Sequence, residues 1–290
     1  IYSFACGEGA SYGASGIISN TGSGELIIQG GKGSAGIYYG AYLWGSTSTI
    51  QNQSSGTLKI LGGSGYGIYT NSYGGIVGQI LNTENGKLII QGGEGDQSSG
   101  IRNNATEGGV GLIENRGPGE LIISGNESVR SYGIFVNASG KYSQGTITNT
   151  GTGVLTIKGG VSYGLVYNAQ NGGTGTISNT GVGTLNIQGG PRTFAVALAY
   201  MGGSEASILN RGAGTLNISG GTARDAYGIY SSEGSGLIEN QAEGTLNIQG
   251  GTSETAYGIY LSGSRISNYG AGTLTIEGRK GSGIAYSQAR

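Results

Sequence analysis

The chain has no histidine, one cysteine (Cys6), one tryptophan (Trp44) and two prolines in 290 residues. Without an imidazole there is no His-dependent triad and no His metal site, so acid–base work would fall to carboxylates or tyrosines. A single cysteine closes no internal disulfide. So little proline excludes both a proline-rich linker and a collagen-like chain, although glycine fills 65 positions. Charge is scarce as well. Only 11% of residues are charged, and 15 Lys plus Arg stand against 16 Asp plus Glu. A nucleic-acid partner needs a basic face to displace counterions from phosphates, and this balance offers none. Anionic membranes are disfavoured for the same reason. No apolar run reaches the roughly 20 residues that span a bilayer, so direct membrane insertion of this segment is not expected. No signal peptide opens the chain at Ile1, and that absence reads as the mark of an excised segment.

A glycine-rich, charge-poor chain can be disordered, but disorder gives no reason to keep aliphatic residues at fixed positions. Here they are kept. The sequence aligns on one asparagine: Asn20, Asn52, Asn82, Asn115, Asn149, Asn179, Asn210, Asn240 and Asn268. Isoleucine stands two residues before each (Ile18 to Ile266) and glycine four after (Gly24 to Gly272). Leucine follows at six (Leu26 to Leu274), isoleucine at eight (Ile28 to Ile276) and glycine at ten (Gly30 to Gly278). The unit I-x-N-x3-G-x-L-x-I-x-G thus occurs nine times, about every 31 residues.

Apolar positions two apart have the strand period, which points the isoleucine and leucine rows inward. A third strand carries Y-G-I-Y, as in Tyr66-Gly67-Ile68-Tyr69, Tyr227-Gly228-Ile229-Tyr230 and Tyr257-Gly258-Ile259-Tyr260. One copy cannot bury its apolar face alone, so neighbours must stack and share a continuous core. The expected fold is all-β: a parallel β-helix of about nine rungs with three short strands each, forming one continuous domain over 1–290. In-register stacking sets like over like at about 4.8 Å. The asparagine row then becomes a ladder at a corner, where asparagine tolerates left-handed backbone and its amide can bond to the next rung. The row Tyr12, Tyr66, Tyr132, Tyr163, Phe194, Tyr227 and Tyr257 becomes a partial aromatic stack. Copies vary most between the third strand and the next I-x-N, which predicts projecting loops at 39–48, 70–78, 102–111 and 136–145. Tyr2, Phe4 and Cys6 continue an upstream copy, and uncapped ends read as a slice of something longer.

The glycine-bounded G-x-L-x-I-x-G strands, the I-x-N corners and the recurring Y-G-I-Y resemble passenger domains of bacterial autotransporters. The likeness is nearest to the repeats of vacuolating-cytotoxin-like autotransporters and extends over essentially the whole chain. It implies a right-handed β-solenoid displayed outside the cell, at the bacterial outer surface. No toxin-specific motif matches a position in this sequence.

Residues with chemistry are dispersed. Glu114 and Glu239 share one repeat position, Glu25 and Glu120 another, but each pair lies several copies apart, which reads as solvated surface glutamates rather than an active site. No catalytic residue, metal ligand or cofactor is expected. Asn52-Gln53-Ser54, Asn104-Ala105-Thr106 and Asn137-Ala138-Ser139 fit a glycosylation sequon by composition alone. The outward row seven residues after each asparagine begins apolar, at Ile27, Ile89 and Ile122, and turns polar further on, as a contact surface can. Trp44 is a candidate loop anchor.

The expectation is an adhesin or extended interaction scaffold whose contacts are carried by the edge loops and not by the solenoid faces, and whose partner is a host or neighbouring-cell surface protein or glycan, or another copy of itself. Alternatives are a filament subunit and, more weakly, a polysaccharide-acting enzyme or an ice-binding solenoid. The last rests on Thr184, Thr215, Thr245 and Thr273. Inward assignment of the isoleucine row has a direct consequence: Ile147→Asp places an unpaired charge in the shared core and is expected to cost several kcal/mol. Thermal unfolding followed by circular dichroism measures this, and a variant that melts with the parent refutes the assignment.

Overall fold

A computed structural model describes residues 1–5, 14–41, 45–127, 130–191, 195–200, 204–222, 226–231, 235–252 and 255–286. Each repeat makes three short strands, and like strands of successive repeats pair in parallel. The chain therefore winds as a β-solenoid with three lengthwise sheets. One, here the asparagine sheet, has nine strands from Ser15–Asn20 to Ser264–Asn268. The leucine sheet has nine, from Glu25–Gln29 to Thr273–Glu277. The tyrosine sheet has ten, from Ser3–Ala5 to Ile284–Tyr286.

Register is strict in the first two sheets. Ile113 pairs with Ile147 and Ile147 with Ile177, while Leu121 pairs with Leu155 and Leu155 with Leu185. The tyrosine sheet shifts once, between Leu165 and Tyr167. Inside the coil, Ile68 of the tyrosine sheet meets Ile80 of the asparagine sheet and Leu88 and Ile90 of the leucine sheet, all fully buried. Each such side chain contributes about 1.5–3 kcal/mol on leaving water. The period-two spacing places every one of them on the inner face. From Gly56 onward, the glycine four residues after each asparagine is needed for room rather than for conformation. A Cβ at Gly153 would lie 2.1 Å from the Gly119 carbonyl oxygen of the rung before.

The asparagine row lines the inside of a corner. Asn52 donates from Nδ2 to Asn82 Oδ1 at 3.2 Å, Asn82 to Asn115 at 2.9 Å, and Asn115 to Asn149 at 3.0 Å. The run continues through Asn179, Asn210 and Asn240 to Asn268, at 2.8–3.2 Å. Each amide gives its second hydrogen to the carbonyl of its own corner glycine, as Asn149 does to Gly153 at 3.3 Å. Asparagine alone among small side chains offers the two donors and one acceptor this corner requires. Reversing Asn149 by itself would add bonds to the Asn115 carbonyl and Thr184 amide. It would also set Nδ2 against Asn115 Nδ2 and Oδ1 against Asn179 Oδ1, so the one-way ladder is the consistent arrangement.

Two expectations are corrected. The ladder asparagines do not take left-handed backbone; positive φ falls two residues further on at Ala242 and Gly270, and at the corner leading into the asparagine sheet, at Gly74-Gly75, Glu107-Gly108 and Asn171-Gly172. Nor do 70–78, 102–111 and 136–145 project as loops. They are largely strand: Ile68–Tyr73, Ser99–Thr106 and Tyr132–Ser139, each followed within a few residues by the next strand. Segment 39–48 is described only in part. These stretches are polar because they carry a second amide ladder. Asn71 donates to Asn104 at 2.9 Å, Asn104 to Asn137 at 2.8 Å and Asn137 to Asn168 at 2.9 Å, with all four fully buried. Pairing rung to rung lets polar residues sit where sequence polarity alone indicates a loop.

Asn149→Asp removes both donated bonds and turns a carboxylate toward the Gly153 carbonyl and Asn179 Oδ1. The expected cost is several kcal/mol, since a buried charge is left facing acceptors. Asn268→Asp, at an exposed position, is expected to cost much less. Midpoints of thermal unfolding for the two variants measure the difference.

Candidate contact surface

Outward residues of the tyrosine sheet form columns of aromatic rings. Tyr2 stacks on Tyr38 at 5.2 Å and Tyr38 on Tyr69 at 4.4 Å, with interplanar angles of 5° and 6°. At the next rung the column changes chemistry. Arg102 sets its guanidinium 5.0 Å from the Tyr69 ring centre and 5.3 Å from that of Tyr66. Its Nη1 donates to the Tyr66 hydroxyl at 2.9 Å. Phe135 follows on the neighbouring strand. In-register parallel pairing causes the stacking, because identical outward positions recur one strand spacing apart.

The Y-G-I-Y reading named one column, and the structure shows two. Tyr132 stacks on Tyr163 at 5.9 Å and Tyr227 on Tyr257 at 5.7 Å, as that row predicts. Tyr12 and Phe194 of the same row lie outside the described residues, as do Trp44 and Cys6. The second column is the last residue of the motif, with Tyr230 on Tyr260 at 5.4 Å and the Tyr38–Tyr69–Arg102 series. It is hidden in the sequence because two copies, Ala35-Gly36-Ile37-Tyr38 and Ser99-Gly100-Ile101-Arg102, lack the leading tyrosine. The Gly-Ile dipeptide after each Leu-x-Ile strand is the signal that finds them.

A groove of about 670 Å³ runs over four successive rungs, lined by Tyr2, Tyr38, Tyr66, Tyr69 and Arg102 and by the turn at Gly33-Ser34-Ala35. Burial pushes the Tyr38 phenol above its usual pKa, and the charge and hydrogen bond of Tyr69 add to this, while Arg102 acts against it. Burial likewise raises Tyr132 and Tyr163. These phenols stay protonated and able to donate at neutral pH. Among the described residues, the three ion pairs are Lys59–Glu25, Lys87–Glu120 and Arg116–Glu114, so Arg102 carries its charge without a carboxylate partner.

The other candidate residues fall elsewhere. Ile27 is 49% exposed on the outer face of the leucine sheet, with Ile89 and Ile122 half-buried in the same row. Lys59 separates Ile27 from Ile89 and reaches Glu25 at 2.5 Å. The row is therefore apolar over only two adjacent rungs. Further along, Thr184, Thr215, Thr245 and Thr273 are in register beside an outer amide ladder, Asn247 to Asn217 to Asn186, at 2.9 Å per step. Asn52, Asn104 and Asn137 of the three sequons are fully buried within ladders, so in the folded chain none offers its amide to a glycan.

Glu114 and Glu239 are not solvated surface glutamates. They are only 6% and 8% exposed, folded along the corner against Arg116 and Gln241 respectively. Glu114 accepts from Arg116 at 2.7 and 3.2 Å and from Thr150 at 2.6 Å. Burial alone would raise its pKa, but those hydrogen bonds and the guanidinium charge prevail and hold the carboxyl below the usual carboxylate range. They lie on the asparagine sheet and not on the tyrosine sheet that carries the groove, and each serves its own corner.

Comparison with protein-family models, with curated proteins and with solved structures returned no match. The class that the fold defines is a three-sheet, parallel β-solenoid repeat protein.

Because the native pKa of Glu114 is lowered, its stabilising effect is complete above the unfolded value of about 4.3 and fades as pH falls through the native value. Glu114→Gln is therefore expected to lower the melting temperature at pH 7. The gap from the parent should close as pH drops below 4. Melting curves across pH check the sign.

Proposed function

We propose that this segment is a rigid interaction scaffold, of the kind a surface-displayed passenger segment or adhesin provides, and that the aromatic face of the tyrosine sheet makes its contacts. One observation carries this reading: half-exposed tyrosine columns, and an arginine with no carboxylate partner among the described residues, are held outward by a buried core shared from rung to rung. Tyrosine and arginine are favoured at binding surfaces because each offers a large, partly apolar contact with a polar end. Rigid mounting removes much of the ordering cost that flexible loops incur on binding. Display outside the cell, at a bacterial surface, is supported by the likeness of the repeats to autotransporter passenger domains. Contacts are placed on a sheet face here because the polar stretches that looked like projecting loops are strand.

Adhesion of the purified protein to cultured cells and to bacteria tests this. Tyr69→Ser with Tyr260→Ser is expected to reduce adhesion severalfold while melting stays close to the parent. Thr215→Ser on the leucine sheet should leave adhesion unchanged. Adhesion that survives the tyrosine changes but falls with Ile89→Ser and Ile122→Ser would move the contact surface to the leucine sheet.

A further inference from the structure

The groove over Arg102 has a chemistry that narrows its ligand. Stacking covers the faces of Tyr38 and Tyr69, so these rings present edges and hydroxyls rather than open faces. Ring edges carry the positive side of the aromatic quadrupole. Phenol hydroxyls both donate and accept. At the last of the four rungs stands the Arg102 guanidinium, which among the described residues donates to the Tyr66 hydroxyl. Within the column Tyr38, Tyr69, Arg102 and Phe135, Arg102 replaces an aromatic ring with a cation. The lining is therefore suited to an anion embedded in a polyol.

The direction of the groove matters too. It crosses four rungs, so it runs along the solenoid axis and across the strands. Strand backbones of Ile37–Ala41, Ile68–Tyr73 and Ser99–Thr106 already pair with each other. An extended peptide lying there would find no free edge to join and would lose the main-chain pairing that gives strand addition its affinity. A sugar chain needs no such pairing. Its hydroxyls meet side-chain hydroxyls, and a planar carboxylate matches the guanidinium fork.

We propose that the groove at Tyr38, Tyr66, Tyr69 and Arg102 binds a linear oligosaccharide containing uronic acid residues. A uronic acid carboxylate sits on Arg102 at one end of the groove and sugar hydroxyls bond to the phenols along it. This rests on the interaction-scaffold reading and names a ligand class for the same face.

The test is calorimetric titration of the whole protein with tetragalacturonate, its fully methyl-esterified form, a sialylated trisaccharide and tetraglutamate. Tetragalacturonate is expected to bind, and to weaken as salt is raised. The ester should bind at least tenfold more weakly, the size of a lost charge-assisted hydrogen bond. Arg102→Gln should lose about as much, Arg102→Lys less because it keeps charge without the fork, and Tyr69→Phe a few-fold. Circular dichroism melts confirm that each variant is folded. The proposal is overturned by no binding of tetragalacturonate, by equal binding of its ester, or by an unaltered affinity in Arg102→Gln. Tetraglutamate or the sialylated sugar binding as tightly would overturn it as well. Adhesion that persists while tetragalacturonate neither binds nor competes would sink this ligand and leave the scaffold reading standing. Absence of adhesion altogether would remove the scaffold reading instead.

Discussion

Everything in this molecule depends on parallel register between one rung and the next. A slip by one residue would turn every inward isoleucine and leucine outward, because side chains alternate across a strand. Hydrophobic burial alone penalises such a slip, but the amide ladder also penalises slips that preserve alternation. An asparagine displaced by two residues would lose both its neighbour and its glycine carbonyl while remaining buried. The corner thus specifies position in a way that interchangeable aliphatic side chains do not, which is the best-attested role of buried polar groups.

The same register determines the surface. On an ordinary sheet an exposed tyrosine is one residue among varied neighbours; here the repeat sets ring over ring through several turns. Surface chemistry is consequently written in columns, and a single departure, such as arginine at position 102 where other copies carry tyrosine, changes one column locally while the inner rows stay the same. The repeat spreads stability over many nearest-neighbour interfaces, which leaves outward positions free to vary.

Much of this architecture was legible in the residues. Period-two spacing and the recurring asparagine were sufficient for three sheets, buried rows and a hydrogen-bonded ladder. Where the reading failed, it failed for one physical reason. Asn71, Asn104 and Asn137 look like loop residues because an isolated buried amide is costly, yet a stacked amide finds its partner in the next copy. The burial of Glu114 and Glu239 has a related origin, since Arg116 and Gln241 two residues on supply the partner locally. Of the contact surface, the sequence showed one tyrosine column; the groove needed the second, whose members are spread across copies that depart from the motif. Individual exposure is set by neighbours about 31 residues away and is invisible in any one repeat.

The inner ladder has a direction. From Asn20 to Asn268 every Nδ2 points toward the C-terminal neighbour, whereas the outer ladder of Asn247, Asn217 and Asn186 donates the opposite way. A rung is therefore not symmetric between its two flat sides: at the corner it shows a hydrogen-bond donor on one and an acceptor on the other. Head-to-tail stacking matches these groups, and head-to-head stacking opposes like with like. The arrangement acts as a molecular polarity check. A new rung can be templated on an old one in a single orientation.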